Sequence, residues 1–127
     1  AGEDINHSFT YTPDAAKATA LLGNTPDAYG QVWHLPTETR KVTGRQFISM
    51  IGSEFGMANP QFSILRRWML YPLGLFIPIM KEMPEMMYQY EKDYFFDSSK
   101  FTGRFGIKAT SYEEGIKATC NAYAIKA

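Results

Sequence analysis

The chain contains 127 residues, of which 45% are hydrophobic and 20% charged, a composition expected of one folded domain and not of a disordered chain. Its thirteen basic residues balance its thirteen acidic ones and are scattered along the chain, which predicts no nucleic-acid partner. Its longest uncharged run, residues 68–80, is too short for a membrane span. The single Cys120 excludes an intrachain disulfide and favours a reducing, cytoplasmic location.

The first two predicted elements are a strand and a helix. Residues 5–12 alternate loosely and are rich in Phe, Thr and Tyr, which favours a strand. Thr12 follows as a capping residue with Pro13 in the first turn, so a helix is predicted from this point to its stop at Gly23.

A second strand and a second helix complete residues 1–58. Residues 31–35 predict the strand. Thr43 and Gln46 are spaced as a capping box, which opens a helix that ends at Gly56. Two strands joined by a helical crossover predict a parallel pair, and residues 62–65 could add a third strand.

Residues 59–92 are rich in Met and aromatic residues and are interrupted by Pro72, Pro78 and Pro84. Prolines inside apolar segments break helices, so this segment is predicted to form short helices that pack on the core or cover a pocket.

Residues 93–127 predict two capped helices. Asp97 is expected to cap the first, which Gly106 ends in the left-handed conformation. Thr110 and Glu113 have capping-box spacing and are expected to open the second helix.

Together these elements predict an α+β fold: a small mixed α/β domain spanning residues 1–127, with two or three short strands that include a parallel pair and about five flanking helices. The strand–helix–strand–helix part covers residues 1–58, the helical cover 59–92 and the two capped helices 93–127.

Several segments carry a family resemblance. They are His7-Ser-Phe-Thr-Tyr-Thr-Pro13-Asp14, Gly30-Gln-Val-Trp-His-Leu-Pro36, the helix over 43–56, and the ending that runs from Asp97-Ser-Ser-Lys-Phe through Phe-Gly106 to Glu113-Glu-Gly-Ile. In this order the segments resemble the C-terminal, substrate-binding part of extended and atypical short-chain dehydrogenases of the NAD-dependent epimerase/dehydratase family.

The resemblance implies that the chain is the substrate-binding portion of an NAD(P)-dependent oxidoreductase, epimerase or dehydratase, acting on a sugar-like or other carbonyl or alcohol substrate. The cofactor NAD or NADP would belong to the parent protein, bound by an N-terminal Rossmann domain that is the implied partner. This chain alone is expected to bind no cofactor and to be inactive. His7-Ser8 stands where the family often has Arg-Asp, which favours a less charged substrate than a nucleotide-sugar diphosphate.

By position, the resemblance places substrate contacts at seven residues: His7, Tyr11, Trp33, His34, Arg66, Arg67 and Trp68. Each also has a purely structural interpretation, as a strand, core or solvated surface residue. Tyr88 and Lys92 have the family's Tyr-x-x-x-Lys spacing but lie downstream of its expected place, so no catalytic residue is predicted. The two histidines lack neighbouring ligands, which predicts no metal site.

A second hypothesis is a stand-alone module without catalysis, in which the small core and apolar cover bind a hydrophobic small molecule or a protein partner. An exposed apolar surface would support this hypothesis and is compatible with a homodimer.

Overall fold

The computed structural model describes residues 3–124, excluding the side chain of Ala124, and within them shows a small mixed domain dominated by helices. The strands are β1 (Asn6–His7) and β2 (Val42–Thr43). The helices are α1 (Thr12–Gly23), α2 (Gly44–Glu54), α3 (Arg67–Phe76), α4 (Met83–Met86), α5 (Ser99–Phe105) and α6 (Tyr112–Ala124). Short 3-10 turns occupy Pro26–Ala28, Pro78–Lys81 and Met87–Tyr90. None of the helices in this described part is long and apolar enough to cross a membrane.

The fold divides into two compact units. Unit 1 contains residues 3–7 and 41–94, with both strands and helices α2 to α4. Unit 2 contains residues 8–40 and 95–124, with α1, α5 and α6. Each unit is therefore assembled from segments that are distant in the sequence.

The two strands of unit 1 pair antiparallel, with Asn6 opposite Thr43 and His7 opposite Val42. The predicted parallel pair is therefore wrong, because the partner of β1 is β2 and not the segment 31–35. His7 also forms an isolated parallel bridge with Tyr94.

The segment 31–35 is a loop, and both its backbone and its side chains bond to groups outside any sheet. The carbonyl of Val32 accepts from Lys100 Nζ at 2.9 Å, and the Trp33 indole donates to the carbonyl of Ala28 at 2.9 Å. Residues 62–65 likewise form a loop instead of a third strand.

The first two predicted helices are confirmed. Helix α1 spans the predicted residues, although its N-cap is Tyr11 and no side chain caps it. Helix α2 begins with the predicted capping box: Thr43 Oγ1 accepts from the Gln46 amide at 3.2 Å, and Gln46 Oε1 accepts from the Thr43 amide at 2.9 Å. Gly56 follows its C-terminus with φ of 69°, a conformation that glycine adopts without steric cost.

The Met-rich segment forms the predicted series of short helices. Helix α3 contains Pro72, and the turns and the four-residue α4 continue to Tyr90. Leu70 is fully buried and Met87 is 4% exposed, so these helices contribute core residues to unit 1.

The first tail helix agrees with the prediction at its C-terminal end only, because the N-cap of α5 is Ser98, without a side-chain cap hydrogen bond, and not the predicted Asp97. Asp97 Oδ1 accepts from the Ser99 amide at 2.8 Å, and Gly106 ends α5 with φ of 68°. Phe101, in the middle of α5, is fully buried in unit 2.

The predicted cap of the second tail helix is wrong by one residue. Ser111 Oγ accepts from the Glu114 amide at 3.3 Å and donates to the Glu114 carboxylate at 2.9 Å. The Thr110 amide instead donates to Asp14 at 2.7 Å, and Glu113 pairs with Arg40 at 2.7 Å. Cys120 of this helix is buried, as expected for a small apolar side chain.

Candidate functional site

The seven predicted substrate-binding residues are distributed over both units. Tyr11, Trp33 and His34 belong to unit 2, whereas His7, Arg66, Arg67 and Trp68 belong to unit 1. Each unit is therefore described by itself.

Trp33 lies on the loop that packs against α5. Its ring meets Phe101 edge-on with the centroids 6.4 Å apart, and meets Phe105 at 5.6 Å. Phe101 and Phe105 are also in contact with each other, with centroids 4.8 Å apart. The indole is half-buried, so it contributes to the core of unit 2 and also keeps part of its surface accessible.

His34 is the next residue of the loop and its side chain is exposed. Its Nδ1 lies 2.9 Å from the carbonyl oxygen of Asp97, and its ring meets Phe96 edge-on at 5.3 Å. A carbonyl can only accept a hydrogen bond, so Nδ1 must be the protonated nitrogen. In the neutral ring, Nε2 is then an acceptor, which suits it to receive a hydrogen bond from a hydroxyl group.

Lys100 is a neighbour of this loop that was not among the predicted site residues. Its Nζ lies 4.1 Å from the centroid of the Trp33 ring, which is cation–π geometry, and donates to Val32. One feature of the sequence could have pointed to Lys100. It lies in the first turn of α5, where a cation is unfavourable for the helix dipole unless it has another partner. We name the group of Trp33, His34, Phe96 and Lys100 the Trp33 surface.

Buried hydroxyl groups hold the loop of the Trp33 surface in place. The Thr37 amide lies 3.3 Å from Ser98 Oγ, and the hydroxyls of Thr37 and Thr10 are 2.9 Å apart. Thr37 and Ser98 are only 4% and 6% exposed. Because polar groups buried with their partners are costly to separate, this cluster fixes the position of the loop against α5.

Tyr11 has a packing role. It is the N-cap of α1, and a Cβ placed on Gly115 would lie 3.3 Å from Tyr11 Cδ2. The glycine in the Glu113-Glu-Gly-Ile segment therefore makes room for the Tyr11 ring on α6.

An electrostatic group lies at the start of α6. Arg40 pairs with Glu113 at 2.7 Å and with Glu38 at 3.4 Å, and its guanidinium stacks over Tyr112 at 5.4 Å. The hydrogen bond from Arg40 lowers the pKa of Glu113, whereas burial raises the pKa of Tyr112 above its ordinary value. The Tyr112 amide donates to Glu38 at 2.6 Å, so these charges stabilise the helix terminus.

In unit 1, the predicted residues lie on different elements. His7 is on β1, and its ring centroid is 5.9 Å from that of Tyr90. Arg67 lies 3.5 Å from the Glu91 carboxylate and donates to the carbonyl of Pro84 at 3.2 Å, so it ties α3 to the segments that follow. Arg66 and Trp68 are exposed at the start of α3.

Within residues 3–124, no group of three or more His, Cys, Asp or Glu side chains is placed to hold a metal ion. Comparisons with protein-family models, with curated proteins and with solved structures found no match.

Proposed function

We propose that this chain is the C-terminal, substrate-binding part of an NAD(P)-dependent short-chain dehydrogenase of the epimerase/dehydratase type, and that its substrate is a sugar-like or other carbonyl or alcohol compound. The observation that carries the proposal is that three of the segments with the family resemblance contact one another in unit 2. They are the aromatic segment before α1, the loop of the Trp33 surface, and the tail.

The contacts between these segments are numerous. The tail meets the aromatic segment where the Thr110 amide donates to Asp14, and where the Phe9 amide lies 3.4 Å from the Tyr112 hydroxyl. It meets the loop where His34 bonds to the carbonyl of Asp97. Residues separated by more than sixty positions are thus joined, which supports a common role for the three segments.

The Trp33 surface has the chemistry for a neutral hydroxylated ligand. The Trp33 ring supplies an apolar face, and with Nδ1 bonded to the Asp97 carbonyl, Nε2 of His34 is the nitrogen left to accept a hydrogen bond whenever the ring is neutral. Hydride transfer to or from the substrate would be the chemistry of the nicotinamide.

We place the dinucleotide site of the parent enzyme outside this chain. Such a site needs a glycine-rich turn between a strand and a helix whose amides face the pyrophosphate. Here β2 leads directly into α2, and the Thr43 hydroxyl already accepts from the amide of Gln46. The proposal therefore assigns cofactor binding to a Rossmann domain outside these residues.

Reading the gene upstream of Ala1 is the first test. We expect a glycine-rich strand–turn–helix sequence and a Tyr-x-x-x-Lys pair in the same reading frame. A start codon immediately before Ala1 would contradict the proposal. In the 127-residue chain alone, adding NAD or NADP should leave the melting temperature unchanged, and a clear stabilisation would show a cofactor site within it.

The second test uses the intact protein and a panel of alcohol and carbonyl substrates. We expect His34→Ala to raise KM for the substrate about tenfold, the loss of one hydrogen bond, while KM for the cofactor stays unchanged. Val32→Ala is the matched control, because Val32 is 81% exposed on the same loop and bonds to Lys100 through its backbone only. If the two variants raised KM for the substrate equally, His34 would not be a substrate-binding residue.

The alternative, a binding module without catalysis, is favoured by a different observation. Helix α3 exposes large apolar side chains, among them Phe76 at 85% and Leu75 at 79%. Large exposed apolar patches mark sites of association. If the gene encodes no nucleotide-binding domain, the alternative of a binding module is the better explanation.

A further inference from the structure

The uncharged run over residues 68–80 is too short to cross a membrane, yet most of it is exposed. Apolar runs of this length are usually buried core helices or segments that lie at a membrane interface. Within this run only Leu70 and Gly74 are buried. Leu75 and Phe76 are 79% and 85% exposed, so a core helix does not account for the run.

Helix α3 and the segment after it form a helical hairpin in unit 1. A Cβ placed on Gly74 would lie 3.1 Å from Lys81 Cγ, and Arg67 donates to the carbonyl of Pro84 at 3.2 Å. The segment therefore returns along α3, from Gly74 towards Arg67. We name the turn of this hairpin, residues 75–79, the hairpin tip.

The hairpin tip is apolar on all sides. Its residues are Leu75, Phe76, Ile77, Pro78 and Ile79, and all of them are exposed. Consecutive residues of a helical turn point in different directions, so solvent surrounds the tip. Its side chains contain no nitrogen or oxygen atom, whereas protein interfaces form about one hydrogen bond per 100–200 Å². A fluid apolar layer that closes around the tip fits it better than the structured surface of a protein.

Two exposed aromatic residues lie farther from the hairpin tip along α3. At 1.5 Å rise per residue, Tyr71 and Trp68 are about 8 and 12 Å from Phe76 along the helix. They are 62% and 66% exposed. Interfacial segments bury their apolar part by about 5–10 Å, and Trp and Tyr are enriched at the level of the headgroups. The spacing therefore matches a bilayer surface that takes up the tip and meets both rings.

The charges of the hairpin are ordered from the tip outward. Lys81, which lies against Gly74 and is exposed, is the first charged residue of the returning segment. Glu82 and Glu85 follow it in the direction that leads to Arg67. A cation is therefore nearer to the tip than either carboxylate, which is the order that an anionic headgroup favours.

We propose that the hairpin tip inserts into the surface of a lipid bilayer, with Trp68 and Tyr71 in the headgroup layer and Lys81 beside the lipid phosphates. The three cations of residues 66–91 are balanced by three carboxylates, so burial of the apolar tip supplies most of the affinity and anionic lipid adds to it. This binding does not rest on the proposed dehydrogenase function.

Co-sedimentation of the 127-residue chain with lipid vesicles tests the proposal. Vesicles of phosphatidylcholine and phosphatidylglycerol, mixed about three to one, should bind the chain. Leu75→Asp should lower the partition coefficient at least about tenfold, because it removes a leucine from the apolar layer and adds a charge there. Val32→Asp is the matched control, since Val32 is 81% exposed in unit 2, and should leave the partition coefficient unchanged. Circular dichroism of both variants checks that they are folded.

Two further variants test the depth of insertion and the role of the cation. Phe76→Trp keeps an apolar ring at the hairpin tip, and its fluorescence should shift to the blue with vesicles and be quenched by lipids brominated on the acyl chain. Lys81→Gln should lower the partition coefficient roughly fivefold on the mixed vesicles and leave it unchanged on pure phosphatidylcholine. Lys117→Gln, at an exposed lysine of α6, should change neither value.

Several results would overturn the proposal. They include no binding to either kind of vesicle, equal effects of Leu75→Asp and Val32→Asp, and no change in the fluorescence of Phe76→Trp. A dimer in the absence of lipid that Leu75→Asp abolishes would show that a second copy covers the hairpin tip. If the gene encodes a longer protein and that protein does not bind the vesicles, another domain covers the tip.

Discussion

Phe101 and Phe76 are the same residue type in opposite environments, and the same substitution in each should therefore have very different effects. Phe101 is fully buried, with its ring 4.8 Å from Phe105 and 6.4 Å from Trp33, whereas Phe76 is 85% exposed. Removing a buried Phe ring costs about 3–5 kcal/mol, since it leaves a cavity and removes aromatic contacts. An exposed substitution usually changes stability by about 0.5 kcal/mol or less.

The expected loss is large relative to the total stability. At about 0.1 kcal/mol per residue, a chain of this length has roughly 10 kcal/mol of unfolding free energy, so Phe101→Ala should remove about a third of it or more. Phe76→Ala should remove almost none when it is measured at a concentration where the chain is monomeric.

Urea denaturation followed by far-ultraviolet circular dichroism, to which the helices of both units contribute, measures both values, and tryptophan fluorescence adds a probe of unit 2 for Phe101→Ala. In a Trp68→Phe background the remaining indole is Trp33, which contacts Phe101 and reports on unit 2. The reasoning is refuted if Phe101→Ala costs less than about 1 kcal/mol, or if the two alanine variants lose similar amounts with unchanged m-values.

Three further predictions concern the helix caps and the carboxylates. Thr43→Ala removes the capping box of α2 and should cost about 1 kcal/mol in urea denaturation. Gly103→Ala, in α5 with open space around it, should raise stability by about 0.5–1 kcal/mol, whereas Gly106→Ala, at φ of 68°, should lower it by about 1–2 kcal/mol. The Ser99 amide lowers the pKa of Asp97 below 3.8, and Arg40 lowers that of Glu113 below 4.5. The native state therefore binds these protons less readily than the unfolded state, so their stabilisation is present above about pH 4.5 and is lost as the pH falls through the lowered values. Asp97→Asn should reduce this loss in melting temperatures measured between pH 6 and 3.

The helices with local start and stop signals could be predicted because their signals act within a few residues. Thr43 and Gln46 bond to each other, and Gly106 adopts a conformation that depends on its own lack of a side chain. The short helices around Pro72 could also be predicted from local sequence, because proline removes an amide donor from its own helix.

The strands were predicted less well because a strand needs a distant partner. After His7, the predicted first strand bonds to side chains and to other segments: the Ser8 hydroxyl accepts from the Phe96 amide, and the Thr10 hydroxyl meets Thr37. Only two residues of it remain in the sheet.

The cap of α6 shows how two distant charges decide between overlapping local patterns. Thr110 with Glu113 and Ser111 with Glu114 both have capping-box spacing. The Thr110 amide donates to Asp14 and Glu113 pairs with Arg40, and the Ser111 hydroxyl, not that of Thr110, accepts from a helix amide, that of Glu114. Neither partner is visible within the local sequence.

The same long-range contacts limit what the Trp33 surface can bind. Lys100 Nζ already donates to Val32 and lies over the Trp33 ring, so its charge is partly satisfied. The Nδ1 of His34 is committed to Asp97, which leaves an acceptor and not a donor at Nε2 of the neutral ring. Diphosphate recognition needs cations and donors that are available to the ligand, often as a bidentate arginine. A neutral hydroxyl group needs an acceptor and an apolar face, and this surface offers both, so under the proposed function we expect it to bind a hydroxylated compound more tightly than an anionic one.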